Sequence, residues 1–354
     1  RDMHEFWENL RAGRDCITEI PTDRWDWRLY FDPARGTGAP GTMYSRWGGF
    51  VDDVACFDPL FFSLSPREAQ RMDPQERLFL QEAHACIADA GYTPAGLGAG
   101  RRVGVFAGVM NGTYTVVPAH WSVANRVSHL FGLRGPSLSV DTACSSSLTA
   151  LCLAVESLRA GRCEAALAGG VNLILDPMQY ANLSSMTMIS AGRECRAFGA
   201  QADGFVDAEG VGVVLLKPLE AAIADGDTIH AVIKAAVMGH GGHTHGYTVP
   251  NPTEQAELVA QALREAGITQ RHVSYVEAHG TGTALGDPIE VAGLTRAFEG
   301  GTGGMVEGET GWCAIGSVKT NIGHAESAAG IAGLTKVLLQ LRHHTLAASL
   351  HAEA

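Results

Sequence analysis

The stretch Ser139-Val-Asp-Thr-Ala-Cys144-Ser-Ser-Ser-Leu148 decides the fold, because it places one cysteine between a strand and a helix. Residues 137–143 read as an apolar strand, and the apolar spacing after the cysteine predicts a helix to about Arg159. Free backbone N–H groups and the positive end of the helix dipole favour a thiolate at such a junction. A buried structural cysteine explains the same local pattern, so this stretch alone leaves both interpretations open.

The composition is that of a globular α/β protein. Apolar residues make up 46% of the 354 residues and charged residues 18%, which supports a packed core rather than disorder. The 43 glycines lie mostly in short turns between apolar runs, as expected for a chain with many strand–helix junctions. A net charge of −12 argues against nucleic-acid binding, and no apolar run is long enough to span a membrane.

The cysteines indicate the cellular compartment. All eight are scattered without a Cys-x-x-Cys pair, and no signal peptide is visible. This usage predicts a reduced, cytoplasmic protein. The chain begins at Arg1, and both of its ends lie beside predicted helices, at 3–12 and 326–342, so we expect a piece of a longer polypeptide.

Strand and helix patterns alternate along the chain and predict two packed halves. The predicted elements of the first half are a helical region at 66–90 and strands at 103–109, 137–143, 164–175 and 210–219. Those of the second half are helices at 254–266, 287–298 and 326–342 and strands at 272–277 and 313–318. No linker signal marks the boundary, and we place the halves at residues 1–225 and 226–354.

Two further segments repeat the design of the Cys144 turn. Tyr275-Val-Glu-Ala-His279-Gly-Thr-Gly-Thr283 and Gly316-Ser-Val-Lys-Thr-Asn-Ile-Gly-His324 each lead from a short apolar strand into a turn that presents a histidine. Functional groups of α/β folds gather at the carboxyl ends of strands, so the cysteine and both histidines are expected to meet. A thiolate can attack a thioester while imidazoles donate to an oxygen that gains negative charge, so this set suits acyl transfer.

These segments resemble the three signatures of the β-ketoacyl synthases, most closely those of ketosynthase domains of modular polyketide synthases. The motifs are Asp141-Thr-Ala-Cys144-Ser-Ser-Ser, Glu277-Ala-His279-Gly-Thr-Gly-Thr283 and Lys319-Thr-Asn-Ile-Gly-His324-Ala-Glu326. Two further segments resemble those of ketosynthases from assembly lines whose acyltransferase acts in trans. They are Trp47-Gly-Gly-Phe-Val and Gly246-Tyr-Thr-Val-Pro-Asn-Pro252. The resemblance covers nearly the whole chain. It implies a thiolase-like fold with two similar βαβ halves in α-β-α-β-α layers, truncated here at both ends.

The resemblance also implies a mechanism. Cys144 takes a growing acyl chain from the phosphopantetheine arm of an acyl carrier protein. His279 and His324 then bind the thioester oxygen of a malonyl-type extender on a second carrier, and decarboxylative condensation follows. No bound cofactor and no metal is implied, because the carrier protein supplies the phosphopantetheine arm.

Further residues receive roles from the same resemblance. Lys319 orders the site through a charge partner, for which Glu326 is the candidate, and Asn321 is a supporting residue. Thr281 and Thr283 match positions that hydrogen-bond the pantetheine arm. The implied partners are acyl carrier proteins, other modules of the same synthase and a second copy of the chain in a homodimer.

The sequence departs from the family pattern at several places. The initial strand of the type Ile-Ala-Ile-Val-Gly is absent, and so is the Gly-Phe-Gly-Gly-Thr-Asn segment that supplies one oxyanion-hole N–H. The N–H of Cys144 is therefore the one oxyanion donor that can be named. Cys152 stands where the family often has histidine, Asp207-Ala208 stand in a loop that is usually written differently, and the stretch between Tyr114 and Trp121 is short.

Other notable residues have simpler explanations. Asp203 and Glu209 flank a glycine-rich turn and are interpreted as structural. Met186 and Met188 either line an acyl tunnel or fill gaps in the core. The run His240-Gly-Gly-His243-Thr-His245 offers three imidazoles to one ion, but it lacks an adjacent carboxylate or cysteine and is flexible, so metal binding is not favoured.

Two rival functions fit parts of the sequence. A non-elongating ketosynthase would be a docking and dimerisation platform that holds or passes acyl chains; loss of the second histidine would favour it, but both histidines are present. A papain-type protease fits the separation of Cys144 and His279 but lacks the Cys-Gly-[Ser/Ala]-Cys-[Trp/Tyr] signature. Arg11, Arg14 and Arg24 are candidate contacts for an acidic carrier protein, although an ordinary solvated surface is the simpler account.

Overall fold

The architecture is that of a computed structural model, which describes residues 2–114, 119–244, 246, 248–300 and 310–352. Its helices are α1 (Met3–Arg11), α2 (Pro66–Arg71), α3 (Pro74–Asp89), α4 (Pro94–Gly98), α5 (Trp121–Phe131), α6 (Ser146–Arg159), α7 (Pro177–Ser185), α8 (Leu219–Asp225), α9 (Pro252–Ala266), α10 (Gly286–Glu299), α11 (Lys319–Ile322) and α12 (Ala329–His343). Its strands are β1 (Thr18–Glu19), β2 (Trp47–Gly48), β3 (Val103–Gly108), β4 (Ser137–Val140), β5 (Ala165–Asn172), β6 (Gly210–Leu216), β7 (Tyr275–Glu277) and β8 (Ala314–Gly316). None of the helices in these ranges is long and apolar enough to cross a membrane.

A four-stranded sheet forms the centre of the first half, in the order β4-β3-β5-β6. β3 runs parallel to β4, with Val105 opposite Ser137, and parallel to β5, with Val103 opposite Ala165. β6 closes the sheet antiparallel to β5. Every residue of β3 and of β5 is buried, so the sheet is covered on both faces, as parallel sheets usually are.

Helices form the layers on the two faces of this sheet. Phe79 of α3 and Val123 of α5 pack with Val105 in one buried cluster. Ala150 of α6 packs with Phe106 in another, on the opposite face, since successive strand residues point to opposite sides. The carboxyl end of β4 is thereby held against the amino end of α6, where Cys144 lies.

The second half contains a smaller parallel pair in which Tyr275 of β7 lies opposite Ala314 of β8. Both strands are shorter than the sequence predicts. Residues Gln270–His272 form a 3-10 turn before β7, and the backbone turns after Gly316 so that Lys319 begins the short helix α11. The ends of β7 and β8 are adjacent, which brings the loops carrying His279 and His324 together.

Turn chemistry accounts for the remaining differences between prediction and structure. The helical region at 66–90 is two helices, each starting at a proline and capped by the side chain before it, Ser65 or Asp73. The strand predicted at 137–143 ends at Val140, because residues 141–145 form the nucleophile turn. The last predicted helix begins as a 3-10 turn at Glu326–Ala328 before α12.

Candidate active site

Cys144 lies in a tight turn between β4 and α6. Ala143 adopts a left-handed backbone conformation with φ of 55°, and its N–H donates to Asp141 Oδ1 at 3.0 Å. Ser146 Oγ accepts from the N–H of Thr142 at 2.9 Å and donates to the carbonyl of Ala143 at 2.6 Å. The turn presents Cys144 half-buried at the start of α6, whose N-terminus has no side-chain cap among the described residues.

His324 is fixed in orientation and in tautomer. Its backbone N–H donates to the carbonyl of Val206 at 2.7 Å, and its Nδ1 accepts from the N–H of Glu326 at 3.0 Å. Because Nδ1 accepts, the proton of the neutral ring lies on Nε2. Burial, followed by the nearby Lys319 ammonium and His279, lowers the pKa of His324 well below its usual value. The ring is therefore a neutral Nε2–H donor at physiological pH.

Hydrogen bonds to its backbone hold His279 in place. The Glu290 carboxylate accepts from the N–H of His279 at 2.6 Å and from that of Gly280 at 2.7 Å. Lys319 Nζ donates to the carbonyl of His279 at 2.6 Å. The surrounding protein, and then the Lys319 ammonium, lower the pKa of His279, although the residue keeps accessible surface. It too is a neutral imidazole.

Two carboxylates of α10 support this loop and were not identified from the sequence. Glu290 is one, and Asp287 is the other: its oxygens accept from the N–H of Gly282 at 3.1 Å and of Phe198 at 2.7 Å. The sequence could have pointed to them, because both lie in the first turns of the helix that follows the histidine loop. Helix N-termini favour acidic residues, and the amides of a neighbouring loop need hydrogen-bond acceptors.

The structure brings together the cysteine and both histidines expected to meet. The rings of His279 and His324 lie 5.4 Å apart between centroids and are nearly perpendicular, at 87°. One donor atom from each of Cys144, His324 and Glu326 lies within 4.8 Å of the other two. A thiol and two neutral imidazoles therefore share one site.

The resting state of the nucleophile differs from the expected thiolate. Burial, and then the carboxylate of Glu326, raise the pKa of the Cys144 thiol far above its ordinary value, while Lys319 opposes them. The thiol Sγ lies 3.4 Å from Glu326 Oε2 and donates to it. The helix dipole does not overcome this nearby negative charge, so Cys144 is a neutral thiol in the free protein.

The expected pairing of Lys319 with Glu326 is wrong. Lys319 is 3% exposed and donates to the His279 carbonyl, and among the described residues it makes no ion pair within 4.0 Å. Burial lowers its pKa, and the opposing charges of Glu277 and Glu290 partly offset this effect. The lysine therefore orders the site through a backbone carbonyl, while Glu326 contacts the nucleophile.

The predicted supporting residues lie around this centre. Thr281 and Thr283 are half-buried on the His279 loop, with their hydroxyl oxygens 3.1 Å apart. Asn321 is fully buried. Its side-chain Nδ2 donates to the backbone carbonyl of Arg14 at 3.2 Å, and its own backbone carbonyl accepts from the N–H of Cys16 at 2.8 Å. It ties the N-terminal segment to α11. The assignments of these residues to substrate binding and support stay predictions.

The acidic residues interpreted as structural are engaged in ion pairs. Glu209 pairs with Arg24 at 3.0 Å, and Asp203 pairs with Arg35 at 3.0 Å. The side chain of Arg24 is only 7% exposed, so it is not available for carrier docking as considered from the sequence. Arg11 pairs with Glu8 on the surface of α1, at 2.6 Å.

The remaining candidates of the sequence are exposed residues or lie partly outside the described residues. Met186 is 54% exposed and Met188 is 37% exposed, so neither is a core gap-filler. The possible metal run includes His245, which lies outside the described residues, and His240 Nδ1 accepts from the N–H of Gly242 at 3.0 Å. The short stretch after Tyr114 likewise falls largely on residues 115–118, outside the described part.

Comparison with family models identifies the class of protein. Residues 1–222 match the N-terminal domain of the β-ketoacyl synthases, and residues 230–353 match the C-terminal domain. The chain belongs to the β-ketoacyl synthase family, as the three signatures predicted. The division into folding units at 1–225 and 226–354 stays a prediction, because a family match does not show that either half folds by itself.

The curated relatives to which the chain is similar include polyketide synthases. Polyketide synthase PksM of Bacillus subtilis is 60% identical over 99% of this chain, and polyketide synthase ThaG of Burkholderia thailandensis is 59% identical over 100% of it. The chain spans 8% and 6% of the lengths of these two relatives. It is therefore similar to one short portion of each long polypeptide.

Solved structures confirm the predicted fold class. The oxazolomycin ketosynthase domain OzmH KS7 of Streptomyces albus matches with a TM-score of 0.95 and 49% identity, over 99% of this chain and 62% of that one. The ketosynthase from module 6 of the bacillaene synthase of Bacillus subtilis matches with a TM-score of 0.92 and 41% identity, over 99% of this chain and 60% of that one. The expected thiolase-like ketosynthase architecture is thus the architecture observed.

Proposed function

We propose that this chain is a ketosynthase domain of a modular polyketide synthase and catalyses carbon–carbon bond formation between carrier-bound acyl groups. The observation that carries the proposal is the half-buried Cys144 thiol beside two neutral imidazoles, His279 and His324. Transfer of an acyl chain to the cysteine needs a nucleophile, and decarboxylation of an extender needs neutral hydrogen-bond donors. This site contains both.

In the first step, Cys144 attacks the thioester of an acyl chain on a carrier protein. The new carbon–sulfur bond forms to Cys144, the bond to the pantetheine sulfur breaks, and the proton lost by the Cys144 thiol ends on the released pantetheine sulfur. No described side chain caps the start of α6, so the first backbone N–H groups of this helix are our candidates for donors to the tetrahedral oxyanion.

In the second step, a malonyl-type extender binds with its thioester oxygen toward the two imidazoles. The Nε2–H of His324 and an N–H of His279 donate to this oxygen as carbon dioxide leaves and an enolate forms. The enolate carbon attacks the acyl–Cys144 carbonyl, the bond from that carbonyl to the cysteine sulfur breaks, and the released thiolate takes a proton from solvent. Two neutral donors stabilise the enolate without protonating it, which suits their lowered pKa values.

The acyl carrier proteins and the oligomeric state belong to the same proposal. Thr281 and Thr283 would hydrogen-bond the phosphopantetheine arm, which arrives on the carrier, so the protein itself needs no resident cofactor. Other modules of one synthase supply and receive the chain in the cytoplasm. A homodimer is supported by β4, an edge strand of the sheet whose Leu138 is 46% exposed beside the nucleophile turn.

We assign the domain to the group of synthases whose acyltransferase acts in trans. The support is the resemblance of Trp47-Gly-Gly-Phe-Val and of the segment from Gly246 to Pro252 to such ketosynthases. The test is to present the protein with malonyl-loaded carrier prepared by a separate acyltransferase and to look for the β-keto product. Condensation that requires a covalently linked acyltransferase would contradict the assignment.

Acylation of Cys144 is the experiment that tests the central proposal. The protein is incubated with a simple acyl-pantetheine thioester and analysed by peptide-resolved mass spectrometry, with Cys144→Ala as the control. We expect an adduct on Cys144 that the variant lacks. Absence of the adduct from a folded protein would contradict the acyl-enzyme mechanism. Acylation without a β-keto product after malonyl carrier is added would instead favour the non-elongating platform.

A further inference from the structure

A carboxylate outside the cysteine–histidine set lies against the nucleophile. Glu326 is 4% exposed, and its Oε2 accepts from the Cys144 thiol at 3.4 Å. The backbone N–H of the same residue donates to His324 Nδ1 at 3.0 Å. One residue therefore contacts the thiol with its side chain and fixes the histidine tautomer with its backbone.

Two neighbouring groups, His324 and Lys319, have no free acceptor for the thiol proton. Nδ1 of His324 is already occupied by the Glu326 N–H, and its Nε2 carries a proton, so neither nitrogen is a free acceptor. The Lys319 ammonium has only donors, and it is directed at the carbonyl of His279. Among the described residues, the hydrogen bond of the thiol goes to the carboxylate.

The environment of Glu326 makes it a stronger base than an ordinary carboxylate. The titratable and charged groups that face it are the Cys144 thiol, Lys319, His324 and the fully buried Asp207. Burial raises the pKa of Glu326, while the thiol hydrogen bond and Lys319 oppose this. Burial, and then the charge of Glu326, raise the pKa of Asp207 well above its usual value, because two negative charges so close together in a buried place repel each other.

We propose that Glu326 takes the proton of the Cys144 thiol as the sulfur attacks the incoming thioester, an inference that rests on the proposed ketosynthase function. The S–H bond breaks, its proton moves to Oε2, and the sulfur electron pair forms the bond to the acyl carbon. Collapse of the tetrahedral intermediate breaks the bond to the pantetheine sulfur. That sulfur takes the proton back from Glu326, which leaves acyl–Cys144, a carboxylate and a free pantetheine thiol.

The pH dependence of acylation separates this role from a structural one. The transfer within the Cys144–Glu326 pair exchanges no proton with solvent, so the acylation rate of the wild-type protein is expected to be flat between about pH 7 and pH 9. In Glu326→Gln the proton must leave to solvent before the attack, so the rate is expected to rise about tenfold per pH unit until the thiol is ionised. General-base catalysis typically contributes 10²–10⁴-fold, so we expect on the order of a 100-fold loss at pH 7 in this variant.

The experiment uses single-turnover acylation by an acyl-pantetheine thioester from pH 6 to 10, followed by mass spectrometry. Glu326→Asp, which keeps the charge, is expected to be slower but equally flat. Glu156→Gln, an exposed change on α6, is expected to match the wild type. Parallel profiles for wild type and Glu326→Gln, or a sloping profile for Glu326→Asp, would overturn the role of Glu326. Failure of the wild type to acylate at any pH would instead overturn the proposed function.

Discussion

The carboxylate of Glu290 accepts from two successive amides of the His279 loop and so positions the backbone of that loop. Replacement by glutamine keeps the size of the side chain and removes the charge from both bonds. Charge-assisted hydrogen bonds contribute about 1.5–3 kcal/mol, so we expect Glu290→Gln to slow malonyl decarboxylation about 10- to 100-fold. The measurement is release of labelled carbon dioxide from malonyl carrier.

Acylation of Cys144 provides the internal comparison for this variant, because the His279 loop acts in the second step. We expect Glu290→Gln to acylate within a few fold of the wild type, since the nucleophile turn is built from other residues. Glu299→Gln, an exposed change at the far end of α10, is the matched control. An equal loss in both steps would mean that Glu290 supports the whole fold rather than the histidine loop.

His324 makes stability depend on pH in a defined direction. Its pKa is lowered in the folded protein, so below the ordinary value near 6.5 the unfolded chain binds a proton that the folded chain does not. Folding free energy is therefore lost as the pH falls below about 6.5, by up to about 1.4 kcal/mol per pH unit for this group.

Denaturant unfolding between pH 7 and 5 tests this linkage for His324→Gln. We expect the variant to lose less stability on acidification than the wild type, by up to about 1.4 kcal/mol per unit. His129→Gln, an exposed position on α5, is the control and should keep the wild-type slope. Identical slopes for all three proteins would show that His324 is not the buried neutral group described here.

At the scale of the element, the site is assembled from three strand ends. β4 leads to Cys144, β7 leads to His279, and β8 leads through α11 to His324. Sequence periodicity finds such strand–turn–helix units because the pattern is local, and all three were located from the sequence. The predicted strands were too long at these turns. Side chains such as Asp141 and Ser146 hydrogen-bond nearby backbone groups and so end the strand.

A glycine of β3 allows α6 to approach the sheet closely. A Cβ at Gly108 would lie 2.4 Å from Ser147 N and 2.6 Å from the Ser146 carbonyl carbon, both backbone atoms that cannot rotate away. We expect Gly108→Ala to destabilise the protein by about 1–3 kcal/mol and to slow acylation of Cys144, because the start of α6 must move. Urea unfolding and the acylation rate measure the two effects.

Gly98→Ala is the matched control for this change. Gly98 ends α4, and a Cβ there would have its nearest neighbour at 3.6 Å, an ordinary contact. We expect this variant to stay within about 1 kcal/mol of the wild type and to acylate normally. A Gly108→Ala protein that is destabilised but acylates at the wild-type rate would mean that the close approach serves stability alone.

For the whole molecule, the sequence identified the family, the fold class and the three motifs, but not the contacts between them. Lys319 and Glu326 are separated by seven residues, and their opposite charges suggested a pair. In the fold, the lysine donates to His279, forty residues earlier, and the glutamate accepts from Cys144, 182 residues earlier. Such partners depend on how distant turns meet, and spacing in one sequence does not contain that information. The neutral thiol follows from burial and from the same tertiary contact with Glu326.

We expect the protein to associate with a second copy through the exposed edge of its central sheet. In the part of the chain that the structure describes, β4 pairs with a strand on one side only. Its Leu138 is 46% exposed, and the nucleophile turn follows directly. An exposed edge strand is a template for pairing with a second chain. We expect the wild-type protein to sediment as a dimer at micromolar concentration. Leu138→Lys is expected to shift the equilibrium toward monomer and to raise the dissociation constant about tenfold or more, because a buried leucine contact is lost.

Leu29→Lys separates this edge from hydrophobic association in general. Leu29 is 77% exposed in the 3-10 turn at Trp27–Leu29, far from β4 in sequence and outside the central sheet. We expect this variant to sediment as the wild type does, because its leucine lies outside the proposed interface. Equal weakening by both substitutions would point to nonspecific association, and a wild-type monomer at all concentrations would remove the edge strand as a dimer interface. If the dimer forms through β4, each Cys144 lies near the subunit boundary, and Leu138→Lys should lower acylation as well as association.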